Sequence, residues 1–120
     1  MIEVTTSDEV SESDSVSLDV VGESHYQEAL WSIVGTAEPD ADGRIRVRCR
    51  ADLVAEPDNP YDPNAVQVIV KKQVVGYLRR VDAAVVQPKL PQPNPAWGHI
   101  VGRRGASLGV FLYCLQSLLE

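Results

Sequence analysis

The chain has 120 residues, 44% of them hydrophobic, which suits one compact domain rather than two. No run approaches the ~18 apolar residues of a membrane span, and the opening "MIEVTTSDEVSESDSV" has neither a basic n-region nor an apolar h-region, so neither a membrane protein nor a secretory signal is expected. The net charge of -6 is segregated: residues 1–28 hold eight acids and no Lys or Arg, which leaves nine acids against all 11 bases, a net +2, in the rest, so an acidic pI does not exclude a nucleic-acid partner.

Residues 1–15 are polar, acidic and rich in Ser and Thr, without an aromatic residue. Such a stretch buries too little apolar area to offset its ordering entropy, so it is expected to be a disordered acidic leader, with the folded domain over 16–120. "VSLDVVG" (16–22) alternates Val16, Leu18 and Val20 and stops at Gly22, which predicts a strand ending where positive φ is allowed. "ESHYQEALWSIVG" (23–35) spaces Tyr26, Leu30 and Ile33 for a helix, with Ser24 as its N-cap and Gly35 as its stop. A turn-rich loop, "TAEPDADG", follows.

"GRIRVRCRADLVAE" (43–56) is the clearest strand. Ile45, Val47 and Cys49 point one way; Arg44, Arg46, Arg48 and Arg50 point the other. After the proline-rich stretch 57–63, "NAVQVIVKK" (64–72) and "QVVGYLRR" (73–80) predict two strands joined by a hairpin through Lys71–Gln73. "VDAAVVQPKL" (81–90) reads as a short helix ended by Pro88, "PQPNPAW" (91–97) as a stiff extended linker, and 98–116 as a closing hairpin turned around Arg103–Gly105. The total is six strands and two short helices without βαβ alternation. That is an all-β fold, a small and partly closed barrel.

The stretch "EPDNPYDPNAVQVIV" (56–70) builds a stiff corner. Pro57, Pro60 and Pro63 each fix φ and remove a donor, while Asp58 and Asn59 favour Asx turns and Asn64 can cap the entry to the strand. This holds Tyr61 and Asp62 outward with little entropy left to lose on binding: a ring for stacking beside an acceptor for a hydroxyl. The plainer alternative makes Tyr61 a lid on the barrel end and Asp62 a local cap.

"EPDNPYDPNAVQV" resembles the signature box of the HIRAN domain. "VVGESHYQ" (20–27), "VVGYLRR" (74–80) and "SLGVFLYCL" (107–115) resemble further pieces of that pattern in the same order, so the resemblance covers about residues 17–116 and fits the free-standing bacterial type. It implies an OB-like barrel that captures single-stranded DNA by its free 3′ end. In HIRAN domains of fork-remodelling DNA translocases, aromatic residues sandwich the terminal bases, an aspartate accepts the 3′ hydroxyl and basic residues hold phosphates. Carried over, Tyr61 is the stacking aromatic, Asp62 the hydroxyl acceptor and Arg80 the phosphate ligand, with Arg79 beside it. An arginine and a tyrosine of the pattern fall on Ser24 and His25. His25 keeps a ring that can stack, Ser24 has no charge for a phosphate, and Tyr26 matches a neighbouring tyrosine. A further pocket aromatic near the last strand falls on Leu108 or Phe111.

Other features stay open at this level. The arginine row is either a phosphate track or a set of side chains lying over apolar surface and paired with acids such as Asp52 or Glu56. Arg103 and Arg104 form a solvated hairpin tip or the end of that track, and Trp31 and Trp97 are anchors rather than stacking platforms. Cys49, Cys114, His25 and His99 show no metal-ligand spacing, so no metal or cofactor is expected; the two cysteines read as buried reduced thiols in a cytoplasmic protein. There is no Walker loop and no acid/base constellation with a nucleophile, so the chain is not expected to be an enzyme. The expected partners are single-stranded DNA at its 3′ end and a helicase or nuclease protein. The alternative is a protein- or peptide-interaction module using the same corner.

Overall fold

The computed structural model describes residues 15–93 and 95–120. The expected disordered leader lies outside these residues except for Ser15, which opens the first strand. In chain order the elements are β1 (Ser15–Leu18), β2 (Val20–Val21), α1 (Gln27–Val34), β3 (Arg44–Ala55), β4 (Val66–Val70), β5 (Gln73–Leu78), α2 (Arg80–Val86), β6 (Ala96–Arg103) and β7 (Gly109–Leu115). Single 3-10 turns follow β2, α2 and β7.

The strands form one antiparallel sheet in the order β1-β7-β6-β3-β4-β5-β2. Its two outermost strands are neighbours in the chain. β1 pairs with β7, Ser15 opposite Leu115 and Leu18 opposite Leu112. One residue later β2 pairs with β5, Val20 opposite Leu78. The sheet is thereby rolled into a nearly closed barrel, the OB-like form expected, with seven strands instead of six. The extra strand comes from the 16–22 segment, which the sequence presented as one run. It changes partner at Asp19, because a single straight strand cannot pair with both rims of a closing sheet.

β3 is common to both halves of the barrel. Its first part, Arg44–Ala51, pairs with β6, and its second, Asp52–Ala55, pairs with β4. The predicted alternation holds in direction: Ile45 is buried and Val47 and Cys49 are half-buried, Ala51 and Leu53 continue the buried side, and all four arginines are exposed. Leu18, Leu30, Ile45, Val66, Val68, Val75, Ile100 and Leu112 are 0–2% exposed and make the centre of the core. Each such side chain contributes about 1.5–3 kcal/mol of burial.

Three local expectations are corrected. The first helix begins at Gln27 and not at Ser24. Gly22 takes φ 81°, and the chain then turns through a 3-10 turn in which the His25 N–H donates to Gly22 O and the Tyr26 N–H to Glu23 O. This leaves Tyr26 at the helix boundary without a side-chain cap, and Leu30 and Val34 as the buried face. The β4–β5 hairpin turns on two residues only, Lys71 and Lys72, both at positive φ (49° and 67°), with Val70 facing Gln73. Cys114 is buried but Cys49 is only half-buried, and both are free thiols.

Candidate functional site

The 56–65 corner is an excursion whose base is closed by the Glu56 N–H donating to Ala65 O. Inside it, Asn59 is the organising residue. Its Oδ1 accepts the backbone N–H of Tyr61 at 2.8 Å and of Asp62 at 3.0 Å, and its Nδ2 donates to Glu56 Oε1 at 2.7 Å. Asp62 in turn accepts the Asn64 N–H on Oδ1 at 2.9 Å, an Asx turn leading into β4. With three prolines contributing no donors, the remaining N–H groups are met partly by these side chains and partly by backbone, Asn59 N–H donating to Glu56 O and Ala65 N–H to Asp62 O. The Tyr61 side chain is left out of this network. The residue is 86% exposed, so it does not cover the barrel end as a lid would.

Below the corner lies an open cleft of about 570 Å³. Its floor and walls include Tyr26, Tyr77, Glu56 and Val21 of β2, and its mouth is formed by Tyr61, Asp62 and Arg80. Glu56 binds the floor together: Oε1 also accepts the Tyr77 hydroxyl at 2.8 Å, and Oε2 accepts Gln67 Nε2 at 3.1 Å. Burial first, then the bond to Glu56, pushes the Tyr77 hydroxyl up to about 12, so at neutral pH it is a fixed donor and the ring is uncharged. The Tyr26 ring stands 6.4 Å from that of Tyr77, tilted by 47°. Between them the two rings give the cleft an aromatic wall.

The wall depends on a close strand approach. At Gly76 in β5, a Cβ would stand 2.6 Å from Val20 Cγ1 and 2.9 Å from Val21 O. β2 can lie this tightly against β5, and bring Val21 to the cleft, only where β5 has no side chain.

The two arginines of "LRR" separate in role. Arg80 Nε lies 3.5 Å from Asp62 Oδ2, and Arg80 Nη2 donates to Tyr61 O at 3.1 Å. Its side chain is 74% exposed at the mouth, whereas that of Asp62 is 18% exposed. Arg79 points elsewhere: Nε donates to Asp82 Oδ2 at 2.7 Å and Nη1 lies 3.4 Å from Asp19 Oδ2. It clamps the start of α2 to the joint between β1 and β2. Of the site residues expected from sequence, Tyr26, Tyr61, Asp62 and Arg80 line one cleft; Arg79 does not, and His25 is exposed outside it.

Sequence reasoning gave Asn59 its turn but not its bond to Glu56, read Glu56 only as a partner for the arginine row, and passed over Tyr77 as a site residue. For Asn59 and Glu56 a signal existed, an amide three residues after a carboxylate inside a proline-rich turn. Neither Leu108, which is buried, nor Phe111, which is exposed on the outer face of β7, reaches the cleft. Arg103 and Arg104 lie exposed at the β6–β7 hairpin tip, as one of the two readings had it, and both are tied down there. Arg103 Nη1 donates to Asp42 O, and Arg104 Nη2 donates to Gly35 O and Ala37 O at 3.0 Å while its guanidinium sits 5.3 Å from the Trp31 ring centre. Among the described residues no three His, Cys, Asp or Glu side chains gather as a metal site.

A sequence model of the HIRAN domain matches residues 13–103. Among solved structures, the crystal structure of the HIRAN domain of human HLTF is similar, with 22% identity, 63% of this chain and 79% of that chain covered, and a TM-score of 0.35. No curated protein matches the chain. No helix of the described residues is long and apolar enough to cross a membrane.

Proposed function

Because this chain belongs to the HIRAN domain family, whose members are nucleic-acid-binding rather than catalytic modules, we propose that it captures single-stranded DNA by a free 3′ end in the cleft beneath the corner. The observation that carries this reading is the meeting of Tyr61, Asp62 and Arg80 at one mouth, on a backbone held by Asn59. Each supplies a different part of a terminal nucleotide's needs. The exposed Tyr61 ring is a stacking face, worth about 1–3 kcal/mol per base. The Asp62 carboxylate accepts a hydrogen bond from a 3′ hydroxyl, and it repels a 3′ phosphate. Arg80 offers its guanidinium to a phosphate further along the strand. The aromatic wall of Tyr26 and Tyr77 gives the end base an apolar surface to rest on.

The stiffness of the corner serves the same reading. A ring and a carboxylate already held in place lose little further freedom on binding, so more of the contact energy appears as affinity. A helicase or nuclease that exposes single-stranded ends is the protein partner this function implies. A reducing, cytoplasmic setting suits the two thiols, both pushed up to about 11 by burial and so unreactive.

The test is a titration of fluorescent oligonucleotides that differ only in a free or phosphorylated 3′ end. The expected result is a clear preference for the free hydroxyl, and a loss of about 1–3 kcal/mol in Tyr61→Ala. Equal affinity for the two ends would remove the end-capture reading. Absence of binding to any single strand at low salt would leave the corner to a peptide or protein partner.

A further inference from the structure

The β3–β6–β7 part of the sheet's outer face carries a second arrangement that the end-capture reading does not use. Strand register sets its side chains in rows. Arg48 of β3 faces His99 of β6, which faces Phe111 of β7. The next row runs Arg50, Trp97, Tyr113 and then Ser17 of β1. Arg46 stands one row further on, opposite Val101. Phe111 is 63% exposed and Tyr113 41%, although both belong to a strand whose alternate residues, Val110, Leu112 and Cys114, are in the core. Neighbouring strands lie about 4.8 Å apart and same-face residues about 6.8 Å apart along a strand, so these rings and guanidiniums form one continuous surface.

Along the paired segments of these three strands every charge is positive, and the first acid on the outward side of β3 is Asp52, beyond Arg50. Arg44–Arg50, Ala96–Arg103 and Gly109–Leu115 contain no Asp or Glu. The positive field is felt at His99, which burial first and then Arg46 and Arg48 hold below its ordinary value, leaving a neutral ring available for stacking at pH 7. Arg48 and Arg50 already make interactions within the chain, which a phosphate would share or displace. A row of arginines beside a row of exposed rings is complementary to a chain of phosphates with bases on one side, and poorly so to a purely apolar partner.

We infer that the Arg46/Arg48/Arg50 row together with His99, Phe111 and Tyr113 is a second, end-independent binding face for single-stranded nucleic acid. The arginines run along the phosphates while the rings take the bases. The inference goes beyond end capture and does not require it. β3 connects the two regions, since it carries the arginine row in its first part and runs directly into the corner at its end.

Covalently closed single-stranded circles test this face separately, because a circle has no 3′ end for the cleft. DNA and RNA circles of the same sequence are titrated against the full chain at low salt, and the ratio of their affinities tells which backbone the face prefers. Binding of a circle is expected, weakened about tenfold by Phe111→Ala through the loss of one stacked base, and unchanged by Tyr61→Ala. Arg46→Glu is expected to weaken circles more steeply at low salt than at high salt. Phe111 is exposed and Arg46 lies at the surface, so unchanged melting of both variants verifies the fold. The inference is overturned where no circle binds, where both variants bind circles as well as the wild type does, or where the wild type forms dimers that Phe111→Ala dissociates, which makes the face a contact between copies. Loss of circle binding in Tyr61→Ala would likewise assign all nucleic-acid contact to the cleft. Failure of end discrimination with circle binding intact would sink end capture alone.

Discussion

Arg80 and Asp62 hold one another across the mouth of the cleft, guanidinium nitrogen to carboxylate oxygen at 3.5 Å, while Arg80 also donates to the carbonyl of Tyr61. The cation that would meet a phosphate therefore also positions the residues that would meet the terminal nucleotide. With the Arg80 side chain 74% exposed, the ion pair itself adds little stability. Its value is in orientation.

The two members of the pair are expected to fail differently. Arg80→Ala should weaken binding to every single strand and reduce the salt slope by about one unit, because one phosphate contact is lost. Asp62→Asn keeps an oxygen for the Asn64 N–H but removes the charge. It should erase the preference for a free 3′ hydroxyl over a 3′ phosphate while general affinity stays. Salt-dependent titrations of both variants with both ends check this, and a retained preference in Asp62→Asn would count against the carboxylate as the end reader.

Asn59 touches no ligand in the proposed arrangement, yet its loss should lower affinity. Asn59→Ala frees the exposed N–H of Tyr61 and the half-buried N–H of Asp62, and with water able to reach the corner the stability cost should be about 0.5–1.5 kcal/mol. The corner would then have to be ordered on binding, which adds about 0.5–1.5 kcal/mol for each side chain immobilised. A several-fold weaker affinity beside a melting temperature lowered by only about 2–10 °C is the expected signature.

Gly76→Ala should act on the barrel and the cleft together. The new methyl would meet Val20 and the Val21 carbonyl, so β2 must move away from β5. A cost of about 1–3 kcal/mol is expected from overpacking, read by chemical denaturation. Because Val21 forms part of the wall, affinity for a free end should fall as well, and a variant that binds normally would show that the wall is not needed.

Acid should weaken the fold through His99. Its folded-state value lies below the ordinary 6.5, so the unfolded chain takes up the proton first. Stability from this group is complete above 6.5 and is lost as the pH falls below it toward the folded-state value. The groups facing the ring are Arg46 and Arg48 of β3, with Phe111 opposite on β7. Melting curves between about pH 7.5 and 5.5 should decline for the wild type and decline less for His99→Gln.

The acidic leader offers a further check on charge. Glu3, Asp8, Glu9, Glu12 and Asp14 come with no base among residues 1–14. Removing 1–14 leaves β1 intact and should strengthen single-strand binding at low salt, with the gain fading as salt screens the acids. Equal affinities at low salt would exclude competition between leader and phosphate.

How far the sequence could be read depended on whether a feature was local. The alternation of β3 was plain because one face is apolar and the other is arginine. The corner was plain because Pro, Asn and Asp each restrict the backbone on their own. The exchange of partners at Asp19 was not legible, since it is decided by β5 and β7, which lie far along the chain. The helix start was misplaced because Ser24 looks like a cap, whereas Gly22 turns the chain into a 3-10 turn first, and the side chain of Gln27 is used to hold Leu108 by two bonds of 2.8 Å. Tyr77 was overlooked because its place in the cleft depends on Glu56, 21 residues earlier. The outer rings of β7 were hidden by their own strand: "GVFLYCL" is apolar on both faces, so nothing in its pattern told Phe111 and Tyr113 from Leu112 and Cys114.

Closing a barrel by letting its first strand pair with its last also sets an order in time. Ser15 meets Leu115, and no shorter piece of chain can make that contact. During synthesis, at about 5–20 residues per second, β3, β4 and β5 can pair as soon as they emerge, whereas the rim that β1 must join does not exist until β7 has been made. For those seconds β1 has no partner and the β6 edge of the nascent sheet is bare. β2 can already dock on β5, so the half of the molecule that holds the corner and the cleft can form before the half that holds the outer arginine and ring face.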